Sequence, residues 1–254
     1  MAAEQVTYVG HATVLLEVDG VRLLTDPVLR KRILHLQRTA PVETQNLRDL
    51  DAVLLSHVHW DHLDLRSLRL LGREQSLIVP RGAGSLLRRH GFSRVVEVEV
   101  GEHVDVAGVK VTATDAKHDG RRGPFGTTAP ALGYLVTGSS RVYFAGDTDL
   151  FSGMAELAPL DLALLPISGW GPRLPAGHLD PRRAAEALRL LEPRVVVPIH
   201  WGTYSSAFIR RQKRADFDQA RVDEFRGLAA ELAPAVDVRV LAPGEALMLE
   251  PIGR

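Results

Sequence analysis

Residues 56–64 read Ser-His-Val-His-Trp-Asp-His-Leu-Asp. They follow the strand-like apolar run Ala52–Leu55 and precede apolar residues at helical spacing over 63–71. His57, His59, Asp61 and His62 thus place four ligand-type side chains in six positions. His57 and His59 are two apart, so in an extended segment they project to the same side. Asp61 and His62 come where the chain turns into a helix. Imidazole and carboxylate suit zinc and other first-row divalent ions, so one strand-to-helix loop can feed two neighbouring metals. The chain has no cysteine, which excludes disulfides, thiolate nucleophiles and cysteine ligands together.

Other strand-like runs also end in a ligand type. Val111–Thr114 leads, after three residues, to His118; Val142–Ala145 leads to Gly146-Asp147; Val195–Ile199 leads straight to His200. Ligand sites in mixed α/β architectures commonly sit at the carboxyl ends of strands. Alone, His118 or His200 reads as a core or surface histidine, and Asp147 as a turn residue after glycine. Beside the 57–62 cluster they read as loops converging on one metal site.

The rest of the pattern fits sheets covered by helices. Val14–Val18 and Val21–Thr25 flank Asp19-Gly20, a hairpin turn. Residues 28–50 are irregular, with a basic run at 30–32. Strands are expected at 77–79, 95–98, 104–106, 109–114, 132–136 and 162–165. Helices are expected at 83–90, 154–158, 181–191 and 219–232. Asp180 caps the 181–191 helix, and Pro181 occupies its first position. Residues 236–241 and 246–249 read as a closing strand pair. A chain of 254 residues with no linker-like stretch is expected to form a single domain, 1–254, with two related halves.

The 31 basic and 31 acidic residues cancel, which argues against a nucleic-acid partner. The start of the sequence lacks a signal-peptide pattern. No apolar run approaches the roughly 18 residues of a membrane span. The expectation is a cytoplasmic protein with no membrane insertion.

His-x-His-x-Asp-His, a lone His, Gly-Asp-Thr and a late His together resemble the metallo-β-lactamase superfamily over nearly the whole chain. Gly10 to Leu16, Thr25-Asp26-Pro27, Ala145 to Thr148 and Ile199 to Thr203 narrow the resemblance. They look like the branch containing ascorbate-6-phosphate lactonase and N-acyl-phosphatidylethanolamine phospholipase D. The resemblance implies a four-layer αββα sandwich of the α/β (α+β) class. It also implies two metal ions, with His57, His59 and His118 on the first, Asp61, His62 and His200 on the second, and Asp147 between them. Val58 and Trp60 replace the Asp and Tyr usual in phospholipase-like members, which argues against a phospholipid substrate.

The implied enzyme is a dinuclear hydrolase. Two divalent cations about 3.5–4 Å apart lower the pKa of a shared water, so a metal-bound hydroxide is the expected nucleophile. It would attack an ester, lactone or phosphodiester of a small, soluble substrate, anionic ones included. Zinc is the first expectation, with Mn2+ or Fe2+ as alternatives. Asp61 is expected to accept a hydrogen bond from the attacking water, and His178 to protonate the leaving group or contact substrate. Asp26 reads as a support for a ligand imidazole, His11 as structural, and Asp64 as a helix cap or ligand support. Arg121 and Arg122 read as an anion clamp or as solvated loop arginines, and Trp170 and Trp201 as pocket walls or packing. The sequence is compatible with a homo-oligomer. The alternatives are a metallonuclease, an iron-dependent oxidoreductase and a non-catalytic metal-binding regulatory module.

Overall fold

Leu162 and Leu164 pack in one apolar cluster, while Ala163 and Leu165 pack in another. Leu54 and Val53 divide in the same way. The period of two along a strand sends neighbouring side chains to opposite faces, and here both faces are covered. The computed structural model describes residues 4–42, 44–124, 126–169, 174–206 and 211–249.

The first half runs β1 (Glu4–Gly10), β2 (Thr13–Val18), β3 (Val21–Thr25), β4 (Arg32–Ile33), β5 (Leu36–Arg38), β6 (Ala52–Leu54), α1 (Leu65–Leu71), β7 (Leu77–Pro80), α2 (Gly84–Arg89) and β8 (Val95–Val98). The second half runs β9 (His103–Val106), β10 (Val109–Asp115), β11 (Leu132–Thr137), β12 (Arg141–Phe144), a 3-10 helix (Ser152–Leu157) and β13 (Leu160–Pro166). It continues through α3 (Pro181–Leu191), β14 (Pro193–Ile199), β15 (Tyr204–Ser206), α4 (Arg211–Leu232), β16 (Asp237–Val238) and β17 (Ala246–Leu249).

Two seven-stranded sheets result, ordered β17-β1-β2-β3-β6-β7-β8 and β9-β10-β11-β12-β13-β14-β16. Each begins as an antiparallel meander and ends in parallel pairings. The helices follow the same plan: α1 and α2 link the parallel strands of the first sheet, and α3 and α4 those of the second. One apolar cluster lies between the sheets, with Tyr8, Leu16 and Leu54 facing Tyr134, Phe144 and Leu164. A second joins the outer face of the second sheet to α3 and α4 through Ala163, Val196, Leu188 and Phe225. A third joins the first sheet to α1 and α2 through Leu24, Val53, Leu68 and Leu87. The αββα sandwich expected from the sequence is the observed fold.

Strand direction decides where the ligand-type residues emerge. β1, β3 and β6 point the same way, so His11, Asp26 and the 57–62 loop leave one edge of their sheet. β10, β12, β13 and β14 likewise share a direction, which delivers His118, Asp147, residues 167–169 and His200 to one edge of theirs.

Three expectations are corrected. Residues 236–241 and 246–249 do not form a pair: β16 joins β14 in the second sheet, and β17 joins β1 in the first. The 28–50 segment contains β4 and β5, which form a small sheet with β15. Helix α4 begins at Arg211, eight residues before the expected start. Helix α3 matches its expectation: the Asp180 side chain accepts from Arg183 N–H and Pro181 opens the first turn.

Leu164 is fully buried between the sheets, whereas Leu70 on α1 is 68% exposed. Leu164→Ala is expected to cost about 2–5 kcal/mol through lost transfer energy and a cavity. Leu70→Ala should stay within about 0.5 kcal/mol. Urea unfolding of both variants checks the assignment of the inter-sheet core.

Candidate metal centre

Three histidine nitrogens meet at one point of the centre: His59 Nδ1 lies 3.0 Å from both His57 Nε2 and His118 Nε2. Beside them His62 Nε2 lies 3.3 Å from His200 Nε2, and each is 3.7 Å from Asp61 Oδ2. Asp147 sits between the groups, with Oδ2 3.3 Å from His62 Nε2 and Oδ1 3.4 Å from His200 Nε2. The structure therefore brings all seven sequence-predicted residues together.

The outer atoms of these rings show what the inner atoms offer. His62 Nδ1 donates to Asp26 Oδ2 at 2.6 Å. His118 Nδ1 donates to Gly177 O at 2.8 Å. Ser56 Oγ donates to Asp26, which leaves it to accept from His57 Nδ1 at 2.9 Å. A neutral imidazole has one N–H. Those outward bonds leave the Nε2 lone pairs of His57 and His118 facing inward, only 3.0 Å from His59 Nδ1. One proton on His59 can bridge only one of these two contacts. Ligands about 2.0–2.1 Å from a tetrahedral ion stand roughly 3.3 Å apart, so the donor set fits a cation. Asp147 Oδ1 is buried and accepts no hydrogen bond from the described residues, which leaves a lone pair for the same purpose.

Electrostatics agree. Burial opposes the charged form of His62, but Asp147, Asp61 and Asp26 outweigh it and hold its pKa well above the ordinary imidazole value. The carboxylates draw a positive charge to the centre. Burial also opposes ionisation of Asp147, yet His200 and His62 hold its carboxyl well below the usual carboxylate range. Burial lowers His118 to about 4 and leaves it a neutral ligand type.

Local backbone serves these contacts. His11, Asp26 and His200 hold φ of 61°, 31° and 62°, a region non-glycine residues rarely occupy. Such strain persists where surrounding contacts over-determine it, commonly at functional sites. Gly177 has φ 85°, and a Cβ there would stand 3.1 Å from Lys117 O, against the backbone of the His118 loop.

His57 and His62 are fully buried, whereas His59, Asp61, His118 and His178 keep partial exposure. The centre opens to solvent on that side. His178 Nε2 lies 3.5 Å from Asp147 Oδ2, and its ring stands edge-on to His118. Burial lowers the His178 pKa, but the contact with Asp147 outweighs it and the net shift is upward. Asp64 caps α1 by accepting from Ser67 N–H at 3.0 Å and pairs with Arg30. Trp201 donates Nε1–H to Pro198 O and stacks near Tyr8, which is packing. Trp170 lies outside the described residues.

Arg122 is not a solvated loop arginine. It is buried, and its Nη1 donates to Val58 O, Leu63 O at 2.9 Å and His59 O at 3.3 Å, while the guanidinium lies 4.0 Å from the Trp60 ring centroid. Through Nη1 it straps the ligand loop; Arg121 is exposed. Backbone carbonyls leave no sequence signature, so only the proximity of 122 to His118 hinted at a role. Charged hydrogen bonds contribute about 1.5–3 kcal/mol each. Arg122→Ala is therefore expected to lower unfolding stability by on the order of 3 kcal/mol and to weaken metal uptake. Arg121→Ala should change neither beyond about 0.5 kcal/mol. Urea unfolding and metal titration of the pair decide it.

Comparison with known proteins agrees with the geometry. A β-lactamase superfamily domain matches residues 21–201. A Mycobacterium tuberculosis protein is 36% identical over 221 residues, 80% of this chain, which spans 59% of that relative's length. A metal-dependent hydrolase of Caldivirga maquilingensis is 32% identical over 251 residues, covering 95% of this chain and 96% of its own. The solved structure of a metallo hydrolase from Ignicoccus hospitalis superposes with a TM-score of 0.73 at 26% identity, covering 98% of this chain and 99% of its own. The chain belongs to the metallo-β-lactamase superfamily.

Proposed function

We propose that this chain hydrolyses an ester, lactone or phosphodiester bond of a small substrate, using two divalent metal ions. His57, His59, His118 and Asp147 would hold one ion; Asp61, His62, His200 and Asp147 would hold the other. Zinc suits this imidazole and carboxylate set best, and Mn2+ and Fe2+ also accept it. The observation that carries the reading is the inward convergence of histidine lone pairs whose outer nitrogens are already engaged. When bound, such a metal pair polarises the scissile carbonyl or phosphoryl group and eases deprotonation of water.

The protein's own groups do the rest. Asp26 and Gly177 fix ring orientation and tautomer of His62 and His118, which sets where each lone pair points. Asp61 keeps a partly exposed carboxylate at the open side, placed to accept a hydrogen bond from the attacking water. His178, also at that side, is placed to give a proton to the departing oxygen. Substrate charge would be met by the metals and by exposed groups such as Lys117 and Arg121.

Elemental analysis combined with a lactone, phosphodiester and ester panel tests the reading. About two ions per chain are expected. Turnover should disappear on chelation and in Asp147→Ala, and return only to the wild type on metal addition. Turnover that survives both treatments overturns the proposal. Metal at a hundredfold excess over Kd should also raise unfolding stability by about 2.7 kcal/mol per site, measured by melting with and without chelator.

The His178 role has its own signature. His178→Gln should lower kcat roughly 10²-fold for substrates with poor leaving groups. The loss should shrink for nitrophenyl esters, whose leaving group needs no proton. An equal loss on both substrate types would remove His178 from the proton-transfer step.

A further inference from the structure

His11 is buried, holds a left-handed backbone at φ 61°, and grips two parts of the centre that are far apart in sequence. Its carbonyl accepts the backbone N–H of His200 at 2.8 Å. Its Nε2 lies 3.2 Å from Asp61 Oδ2. The residue is itself fixed, since its backbone N–H is received by Thr203 Oγ1 at 2.7 Å and by Tyr8 Oη at 3.0 Å. A glycine would meet the backbone requirement with less strain. A histidine at such a position is explained by what its ring does, and the ring faces Asp61.

The two residues it grips belong to one side of the centre. Asp61, His62 and His200 form one group with His11 itself beside them, whereas His57, His59 and His118 form the other. The latter three draw their outer hydrogen bonds and spacing from Ser56, Gly177 and one another.

On the two-ion reading above, we propose that His11 is the positioning residue of the second metal site: it donates Nε2–H to Asp61 and anchors His200, and so sets affinity for the second ion without setting affinity for the first. Without the His11 bond, Asp61 would have more freedom toward the open side of the centre, where it is already partly exposed. Loss of a hydrogen bond that orients a metal ligand typically weakens metal binding 10–100-fold.

Two substitutions isolate the Nε2–H. A glutamine amide nitrogen falls near the place of imidazole Nε2, whereas an asparagine amide reaches only to the place of Nδ1. Asparagine also tolerates the left-handed backbone better than most residues. Zinc is titrated calorimetrically into metal-free wild type, His11→Asn and His11→Gln, alongside urea unfolding of each metal-free protein. The wild type should take up two equivalents. In His11→Asn the second step should weaken roughly 10–100-fold while the first is unchanged, and His11→Gln should recover most of the second step. The urea midpoints of the metal-free proteins should stay close.

A His11→Asn protein that binds both equivalents like wild type overturns the role of His11. Parallel weakening of both steps with a lowered urea midpoint also overturns it, since that marks a structural residue. So does a glutamine variant that folds like wild type and binds no better than asparagine. A wild type that takes up one equivalent instead overturns the two-ion reading itself, and the second site with it.

Discussion

The carboxylate of Asp26 is fully buried, and a buried charge is tolerated only when its lone pairs are met. Here they are met by Ser56 N–H, the Ser56 hydroxyl and His62 Nδ1–H. The residue's backbone is equally committed: its N–H donates to Leu54 O and its carbonyl accepts from Thr13 Oγ1. One side chain thus ties the end of β3 to the end of β6 and aims an imidazole across the gap between sheets. Through Ser56 it also orients His57. Ligands on both sides of the centre inherit their direction from this one buried anion.

The motif and its setting at strand ends were legible because they are local. His57 to His62 are consecutive in the sequence, and a strand that ends in histidine or aspartate declares itself within a few residues. The parts that were not legible depend on long sequence separation or on backbone atoms. β17 pairs with β1 across nearly the whole chain, and a four-residue run carries no sign of its partner. β4 and β5 are too short for periodicity to register. The first turns of α4 read Arg-Gln-Lys-Arg-Ala-Asp-Phe-Asp, with no apolar stripe to mark a helix. Arg122 was the most instructive case: its partners are three carbonyls 59–64 positions away, which any residues could supply.

The two halves use equivalent positions differently. His11 follows β1 as His118 follows β10; Asp26 follows β3 as Asp147 follows β12. In the second half the histidine and aspartate face the centre directly. In the first half they hold other residues that do. The same strand-and-loop plan therefore supplies donors on one side and their supports on the other, and the centre requires both sheets to be packed in register.

The placement of β17 has a consequence for how the chain is made. The first sheet receives its edge strand from residues 246–249. Until these leave the ribosome, β1 presents unpaired N–H and C=O groups, the kind of edge that recruits other strands. The N-terminal half cannot finish ahead of the C-terminal half, as separate domains would during synthesis. His200 follows β14, so the donor set is incomplete until that strand has been made. The order in which the strands are made thus sets when this edge closes.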